Sequence, residues 1–158
     1  MPLIELQNLS NDARIWIFGI SPALNEQQSA AFLERVDRFL HDWAAHGTPI
    51  TSARELREGS FLVVAVDKRS ETSGCSIDKM FGTLKQLEQA LGVTILDSTR
   101  VFLRGDEGRV KALPRGEFRT AGTADTMVFD ILAERLGDVR SGTWERRAAD
   151  SWHKALVG

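Results

Sequence analysis

The chain has 158 residues, of which 42% are hydrophobic and 27% are charged, so we predict one globular domain with a buried core over residues 1–158. Its formal net charge of -2 gives no bulk attraction to nucleic acid or to an anionic membrane, and no apolar run approaches the roughly 20 residues of a membrane span. A single cysteine excludes an internal disulfide and the first residues lack the pattern of a signal peptide, which together favour the cytoplasm.

The first predicted elements are a short strand and an amphipathic helix. Residues 14–20 are rich in β-branched and aromatic side chains, which is typical of a strand. The helix is predicted to begin after Asn25, because Asn25 and Gln28 have the spacing of a capping box, and to end at Gly47. Its apolar stripe consists of Phe32, Leu33, Val36, Phe39, Leu40 and Trp43.

Two strands and a second helix are predicted next. Residues 50–57 carry polar side chains on both faces, which favours an edge strand. Residues 61–66 are apolar on both faces, as a central strand is. A turn-rich loop at residues 72–78 leads into the second amphipathic helix, which is predicted to end at Gly92.

A strand and a hairpin are predicted after the second helix. Residues 93–103 are expected to form one strand with a kink at residues 97–98. Gly and Asp at residues 105–108 predict a turn into a hairpin strand at residues 109–113. Residues 114–122 have the composition of a loop.

The C-terminal part is predicted to be helical. A third helix is expected over residues 123–136, where apolar side chains have helical spacing, and Gly137 is expected to end it. A short helix is expected around residues 148–156. Trp144 and Trp152 are expected to dock on the domain, because large apolar rings rarely stay free in solvent.

The order strand–helix–strand–strand–helix–strand matches the ferredoxin-like βαββαβ pattern. We therefore predict an α/β (α+β) two-layer sandwich with a mainly antiparallel sheet and an extra hairpin strand. Residues 13–113 would form this core, and residues 114–158 a helical C-terminal extension packed on it. The open face of the sheet is expected to be covered by the third helix or by a second subunit in a homodimer.

The loop between the central strand and the second helix is the predicted functional site. It contains the only cysteine, Cys75, and the small residues Ser73, Gly74 and Ser76 allow its backbone to approach a ligand. Because N–H groups at a helix start favour negative charge, we expect this loop to bind a small anionic ligand. It is not a Walker motif, since the Gly-Lys-Ser/Thr ending is missing.

A histidine is predicted to lie close to Cys75. In a ferredoxin-like topology the first helix ends where the second begins, and His46 is expected in the last turn of the first helix, on its inward face. The two helix dipoles would favour a thiolate–imidazolium pair, which supports acyl transfer or hydrolysis. Asp67 or Asp78 is expected to orient the imidazole.

Plainer interpretations of these residues stay open. A lone cysteine is most often a small buried hydrophobe, Ser73 and Ser76 fit helix caps, and His46 could donate to a backbone carbonyl at the helix end. His153 follows a tryptophan in the tail and could fold back onto the loop as a ligand-binding residue. Zinc held by Cys75, His46 and His153 is an alternative without a closely spaced ligand pair, so no metal or cofactor is predicted.

Three stretches form a further pattern. They are Trp-Ala-Ala-His-Gly at residues 43–47, Ser-Gly-Cys-Ser-Ile-Asp-Lys at residues 73–79, and Trp-Glu with Asp-Ser-Trp-His within residues 144–153. Together they resemble a family of small uncharacterised bacterial proteins that often carry the label ABC transporter ATPase. The resemblance extends from Trp16 to His153. It implies no residue roles, because the family has no established activity, but it includes the same cysteine and histidines.

Two classes of function follow from these observations. The first is a small-molecule site at residues 73–78, with Cys75 as a nucleophile and His46 as its base. The second is a non-enzymatic binding or dimeric assembly module, in which the polar edge strand and the tryptophans contact a partner.

Overall fold

A computed structural model describes residues 3–157, which form two larger antiparallel sheets, a two-stranded hairpin and helices that lie mainly on the outer faces of the larger sheets. The helices are α1 (Glu26–Asp42), α2 (Gly74–Leu91), α3 (Arg115–Ala121) and α4 (Leu136–Arg140). The strands are β1 (Arg14–Gly19), β2 (Ala44–Ala45), β3 (Thr48–Pro49), β4 (Ser52–Arg57), β5 (Phe61–Val66), β6 (Arg100–Arg104), β7 (Val110–Pro114), β8 (Met127–Phe129) and β9 (Glu145–Arg147). Short 3-10 helices lie at Leu6–Asn8, Asp106–Gly108, Ala148–Asp150 and Trp152–Leu156.

The first sheet has the strand order β1–β5–β4, and both pairings are antiparallel. Every residue of the middle strand β5 is buried, while β4 lies at an edge. The predictions of a central strand and an edge strand are confirmed. A strand that is apolar on both faces needs cover on both sides, so this sheet must be packed between two other layers.

The helices α1 and α2 cover one face of the first sheet, and a capping box starts each of them. Asn25 Oδ1 accepts from Gln28 N at 2.7 Å, and Gln28 Oε1 accepts from Asn25 N at 3.0 Å. Gly92 ends α2 in the left-handed conformation with φ 68°, as predicted. The core between these helices and the sheet includes Phe18, Phe32, Val36, Leu40, Leu62, Val64, Met80 and Leu84.

A second sheet, with the order β7–β6–β8–β9, covers the other face of the first sheet. Aromatic rings fill the space between the two sheets. The Phe61 ring lies 5.4 Å from Phe102, 4.7 Å from Phe129 and 4.9 Å from Trp144, measured between ring centroids. The cover expected from a third helix or a second subunit is therefore supplied by this sheet.

The outer face of the second sheet is covered by α3 and by the C-terminal 3-10 helices. Phe118 of α3 is buried there with Leu103, Val128 and Ala148. The α+β class and the pairing of helices with an antiparallel sheet are confirmed, and the layers continue as helix, sheet, sheet and helix. None of the helices within residues 3–157 is long and apolar enough to cross a membrane.

Only the second half of the strand predicted after α2 forms. Thr94 makes an isolated bridge with Ser21. The carboxylate of Glu88 then accepts from Ile95 N at 2.6 Å and from Leu96 N at 2.8 Å, so these N–H groups are not available to a sheet. The following strand, β6, pairs with β7 and β8 in the second sheet. It does not take the place beside β1 that the fourth strand of a ferredoxin-like sheet has.

The predictions for residues 114–122 and 123–136 are wrong. The first segment, expected to be a loop, contains α3, and the second, expected to be a helix, contains β8 and a turn. Val128 pairs with Leu103, and β8 also pairs with β9. Asp130 then turns the chain by accepting from the backbone N–H two residues later, at 3.0 Å. The C-terminal extension is thus partly sheet, because tertiary pairing overrides the helical spacing.

The first helix is shorter than predicted. It ends at Asp42, and Trp43 is its C-terminal cap with extended φ and ψ of -69° and 130°. A small hairpin of β2 and β3 follows, and its tip residues His46 and Gly47 have φ of 52° and 79°. Two positive φ values at a two-residue tip are what the turn of a tight hairpin requires.

Candidate functional site

The loop that leads into α2 is closed by hydrogen bonds between its own residues. Ser73 Oγ accepts from Ser76 N at 3.1 Å, while Ser76 Oγ accepts from Ser73 N and donates to Ser73 O, both at 2.8 Å. Both serines therefore cap the helix, which confirms their plainer interpretation. Since the cap uses the Ser76 N–H, the N–H groups of Gly74 and Cys75 are what this helix start offers to an anion.

Cys75 and His46 are both exposed, and no hydrogen bond joins their side chains within residues 3–157. The interpretation of Cys75 as a buried hydrophobe is wrong. The prediction that places His46 in the last turn of α1 is also wrong, because it lies at the tip of the β2–β3 hairpin. In the part of the chain that the structure describes, the predicted interaction of His46 with the C-terminal end of the α1 dipole is therefore absent.

The end of α1 does meet the start of α2, but through a tryptophan. Trp43 Nε1 donates to Ser76 O at 2.8 Å, and this hydrogen bond is buried. The rings of Phe39 and Trp16 lie 5.5 Å and 6.4 Å from the Trp43 ring. The predicted proximity of the two helix ends is confirmed, and a structural hydrogen bond occupies the contact.

The two aspartates expected to orient an imidazole have other surroundings. The Asp67 carboxylate accepts from the Nε, Nη2 and backbone N of Arg69 at 3.1, 3.0 and 2.9 Å. These hydrogen bonds lower the pKa of Asp67. Asp78 is exposed on α2 and lies after its first turn, which contains no acidic residue. Within residues 3–157 neither carboxylate forms a hydrogen bond with His46.

His153 is buried far from the loop, on the outer face of the second sheet, and only 1% of it is exposed. Its Nδ1 lies 2.8 Å from Ser151 Oγ, and its ring stacks on Trp152 with centroids 3.8 Å apart. Both sheets separate it from α2, so it does not join Cys75. Within the described residues, no three His, Cys, Asp or Glu side chains come together as a metal site.

Burial lowers the pKa of His153 to about 4, and the positive charges of Arg146 and Arg115 act in the same direction. The carboxylate of Asp130 raises the pKa, but by less than burial lowers it. The ring is therefore neutral near pH 7 and belongs to the core.

A cavity of about 400 Å³ lies along the edge of β1 that does not face β5. One wall comes from α2 and the segment after it, and the other from residues 131–134 after β8. We call this cavity the β1 groove. Its apolar lining includes Trp16, Phe18, Phe81, Leu96, Ile131 and Leu132.

The β1 edge is paired only at its two ends. Ile15 N donates to Glu134 O at 3.0 Å. At the other end, Ser21 N donates to Thr94 O at 3.0 Å and Ser21 O accepts from Thr94 N at 2.8 Å. Between these contacts the groove is open. Glu134 and Thr94 thus occupy the two ends of the position beside β1, and the stretch between them is empty of other chain segments within residues 3–157.

Exposed apolar side chains are concentrated at the β1 groove. Within residues 3–157 three large hydrophobic residues are exposed, and two of them, Phe81 at 37% and Leu132 at 66%, line the groove. The third, Met127 at 36%, lies elsewhere. Clustered exposed apolar surface marks a binding site more often than scattered residues do.

The sequence prediction did not identify the β1 groove. The signal in the sequence was the interruption at residues 97–98, because an unbroken strand over residues 93–103 could have filled the edge of β1. By itself, that interruption predicts only a kink in the strand.

Comparisons of the chain with models of protein families, with curated proteins and with solved structures found no match. The resemblance to the proteins labelled ABC transporter ATPase therefore stays a prediction.

Proposed function

We propose that this protein is a non-enzymatic binding module and that the β1 groove is its binding site. The observation that carries the proposal is an apolar groove of about 400 Å³ beside a strand edge that is paired only at its ends. Ligand sites of this size are typically lined by apolar side chains with a few polar groups that fix orientation. Here the backbone of β1 supplies those polar groups.

The charges around the β1 groove favour an apolar ligand. Asp97 is engaged by Arg100 Nε at 3.0 Å and by the backbone N–H of Thr99 at 2.9 Å. The guanidinium of Arg14 lies over the Trp16 ring, 4.4 Å from its centroid. Asp97 and Arg14 thus have partners of their own, and the interior is left to hydrophobic contact.

A thiol enzyme has less support. Cys75 is accessible, but His46 is at a hairpin tip and Asp67 is held by Arg69. A cysteine nucleophile needs a base within hydrogen-bond reach and a third group that orients the base. An anionic ligand at Gly74 and Cys75 and a homodimer also stay hypotheses, with fewer observations behind them than the groove has.

The proposal predicts that Leu132→Lys weakens binding of an uncharged apolar fluorescent probe, Nile red, by about tenfold, since burying a leucine side chain is worth roughly 1.5–3 kcal/mol. The residue is exposed, so the variant should fold normally. Titration of probe fluorescence measures the effect, and circular dichroism checks the fold.

Met127→Lys is the matched control, because Met127 is also exposed and apolar but lies outside the β1 groove. It should leave the affinity within about twofold of the original. Equal affinities for the parent protein and Leu132→Lys would overturn the assignment of the groove as the binding site.

A further inference from the structure

We infer that the β1 groove takes an extended peptide segment of about three residues, which adds a strand to the edge of β1. This inference rests on the proposed function and names the ligand class. It follows from the backbone groups that β1 presents to the groove, from the apolar walls on either side and from the length of the gap.

The direction of each β1 backbone group follows from the antiparallel register. Ile20 N donates to Ser60 O at 2.7 Å, which continues the pairing of β1 with β5. In an antiparallel pair, hydrogen-bonded and non-hydrogen-bonded positions alternate. Trp16 and Phe18 therefore direct their N–H and C=O groups to β5, whereas Ile17 and Gly19 direct theirs to the groove.

The groove-facing backbone groups lack a partner. Within residues 3–157 no hydrogen bond engages the N–H or C=O of Ile17 or Gly19. Ile17 is nevertheless only 7% exposed, and Gly19 is buried. Unpaired N–H and C=O groups on a strand edge are a template for pairing with another chain, so this recessed edge has the character of a site whose partner is a separate molecule.

The spacing of these groups identifies the partner as a polypeptide backbone. Ile17 and Gly19 are two residues apart, which is about 6.7 Å along a strand. An occupant must repeat a donor and an acceptor at that spacing to pair both residues. An extended peptide does so with alternate residues, as in recognition by strand addition.

The length of the gap limits the added strand. Ile15 and Ser21 are already paired with Glu134 and Thr94, so the free positions lie opposite Ile17, Phe18 and Gly19. The segment therefore has about three residues in contact, roughly 10 Å of extended chain.

The walls of the groove determine which kinds of side chain the peptide needs. Successive side chains of a strand point to opposite faces, so each meets one of the two walls. The wall formed by α2 and the segment after it presents Phe81 and Leu96, and the opposite wall presents Ile131 and Leu132. Apolar side chains are therefore expected at every position. The β1 edge of a second copy fits less well, since it lies in the same recess between the same walls.

The test uses the peptide acetyl-Val-Leu-Val-amide and amide hydrogen exchange followed by NMR on the full chain. We expect the peptide to slow exchange at Ile17 and Gly19 by roughly tenfold or more, because these N–H groups become paired. Trp16 and Phe18, whose N–H groups already pair with β5, should be unaffected and serve as internal controls.

A second peptide with the same side chains and a methyl group on every amide nitrogen separates strand addition from hydrophobic binding. Its methyl groups remove the backbone donors and keep its carbonyls too far from β1 to accept from Ile17 N and Gly19 N. It should therefore fail to protect these two residues and should displace the fluorescent probe less well. If both peptides displace the probe equally and neither slows exchange, strand addition is wrong, while the groove is still a binding site. If neither displaces it although Leu132→Lys weakens the probe, the peptide is the wrong ligand class. If Leu132→Lys does not change the affinity for the probe, the proposed function itself is wrong.

Discussion

Gly19 shows how one residue couples the two sheets. A Cβ atom at this position would lie 2.3 Å from Cε1 of Phe102, closer than side chains tolerate. A glycine inside a strand weakens it, yet here it allows the second sheet to pack against the first. The same residue presents its backbone groups to the β1 groove, so it contributes both to the packing of the sheets and to the proposed binding site.

His153 is a buried ring that makes stability depend on pH. Its pKa is lowered to about 4 in the folded protein, against 6.5 for an ordinary histidine. Between these values the unfolded chain binds the proton and the folded chain does not, so stability falls as the pH is lowered from about 6.5 to 4. Above that window the ring is neutral in both states and has no effect.

We predict a loss of about 3 kcal/mol in the free energy of unfolding across that window from His153 alone, since one pKa unit corresponds to about 1.4 kcal/mol. His153→Gln should flatten the pH dependence, and urea denaturation at several pH values measures it. A parent protein equally stable at pH 4.5 and 7 would contradict the burial of a neutral ring.

At the scale of elements, the start of α2 depends on the capping box formed by Ser73 and Ser76. Ser73 and Ser76 satisfy each other's backbone N–H groups, which a helix start otherwise leaves open. The cap fixes where α2 begins and therefore where Trp43 bonds to Ser76 O. These serines act on stability and on the contact between the helices.

We predict that Ser73→Ala lowers the free energy of unfolding by about 1 kcal/mol, the usual effect of removing a helix cap. Ser10→Ala, at an exposed position outside the helices, is the control and should change little. Chemical denaturation measures both variants. Ser73→Ala should not change probe binding at the β1 groove, whereas an effect on binding as large as that of Leu132→Lys would point back to the loop.

The element that creates the groove is the segment after α2. Glu88 holds the N–H groups of Ile95 and Leu96, and the chain leaves the edge of β1 to join the second sheet as β6. The Glu88 carboxylate thus occupies two N–H groups in a segment whose sequence pattern favours a strand. The diversion leaves β1 without a full neighbour.

For the molecule as a whole, the buried core between the two larger sheets is the contact that holds the layers together. Phe61 is the centre of this contact, since its ring touches those of Phe102, Phe129 and Trp144. Each sheet contributes one apolar face to this core, and Leu136 and Val139 of α4 complete it. The two sheets are therefore expected to unfold together.

We predict that Phe61→Ala lowers the free energy of unfolding by about 3–5 kcal/mol, because a fully buried aromatic ring leaves a cavity. Circular dichroism and tryptophan fluorescence should still report one coincident transition. Phe81→Ala, on the exposed wall of the β1 groove, should have a much smaller effect on stability. Two separate transitions in the parent protein would show that the sheets are independent units.

The sequence by itself determined the elements whose pattern and local chemistry agree. β5 is apolar on both faces, Asn25 and Ser73 have capping partners three residues later, and Gly92 ends α2. In each case the cause lies within a few residues of the effect. The strands β1 and β4 and the hairpin between β6 and β7 were predicted from equally local signals.

Tertiary structure alone decided the rest. Residues 127–129 have helical spacing but become a strand, because Leu103 and β9 offer them backbone partners. His46 lies at a hairpin tip and not at a helix end, because α1 ends at Asp42 and Trp43 bonds to Ser76 O. The β1 groove exists only because β6 pairs elsewhere, and no local pattern encodes which of two edges a strand will join. Pairing partners and burial are set by residues distant in the chain, so the site they form was not apparent from the sequence.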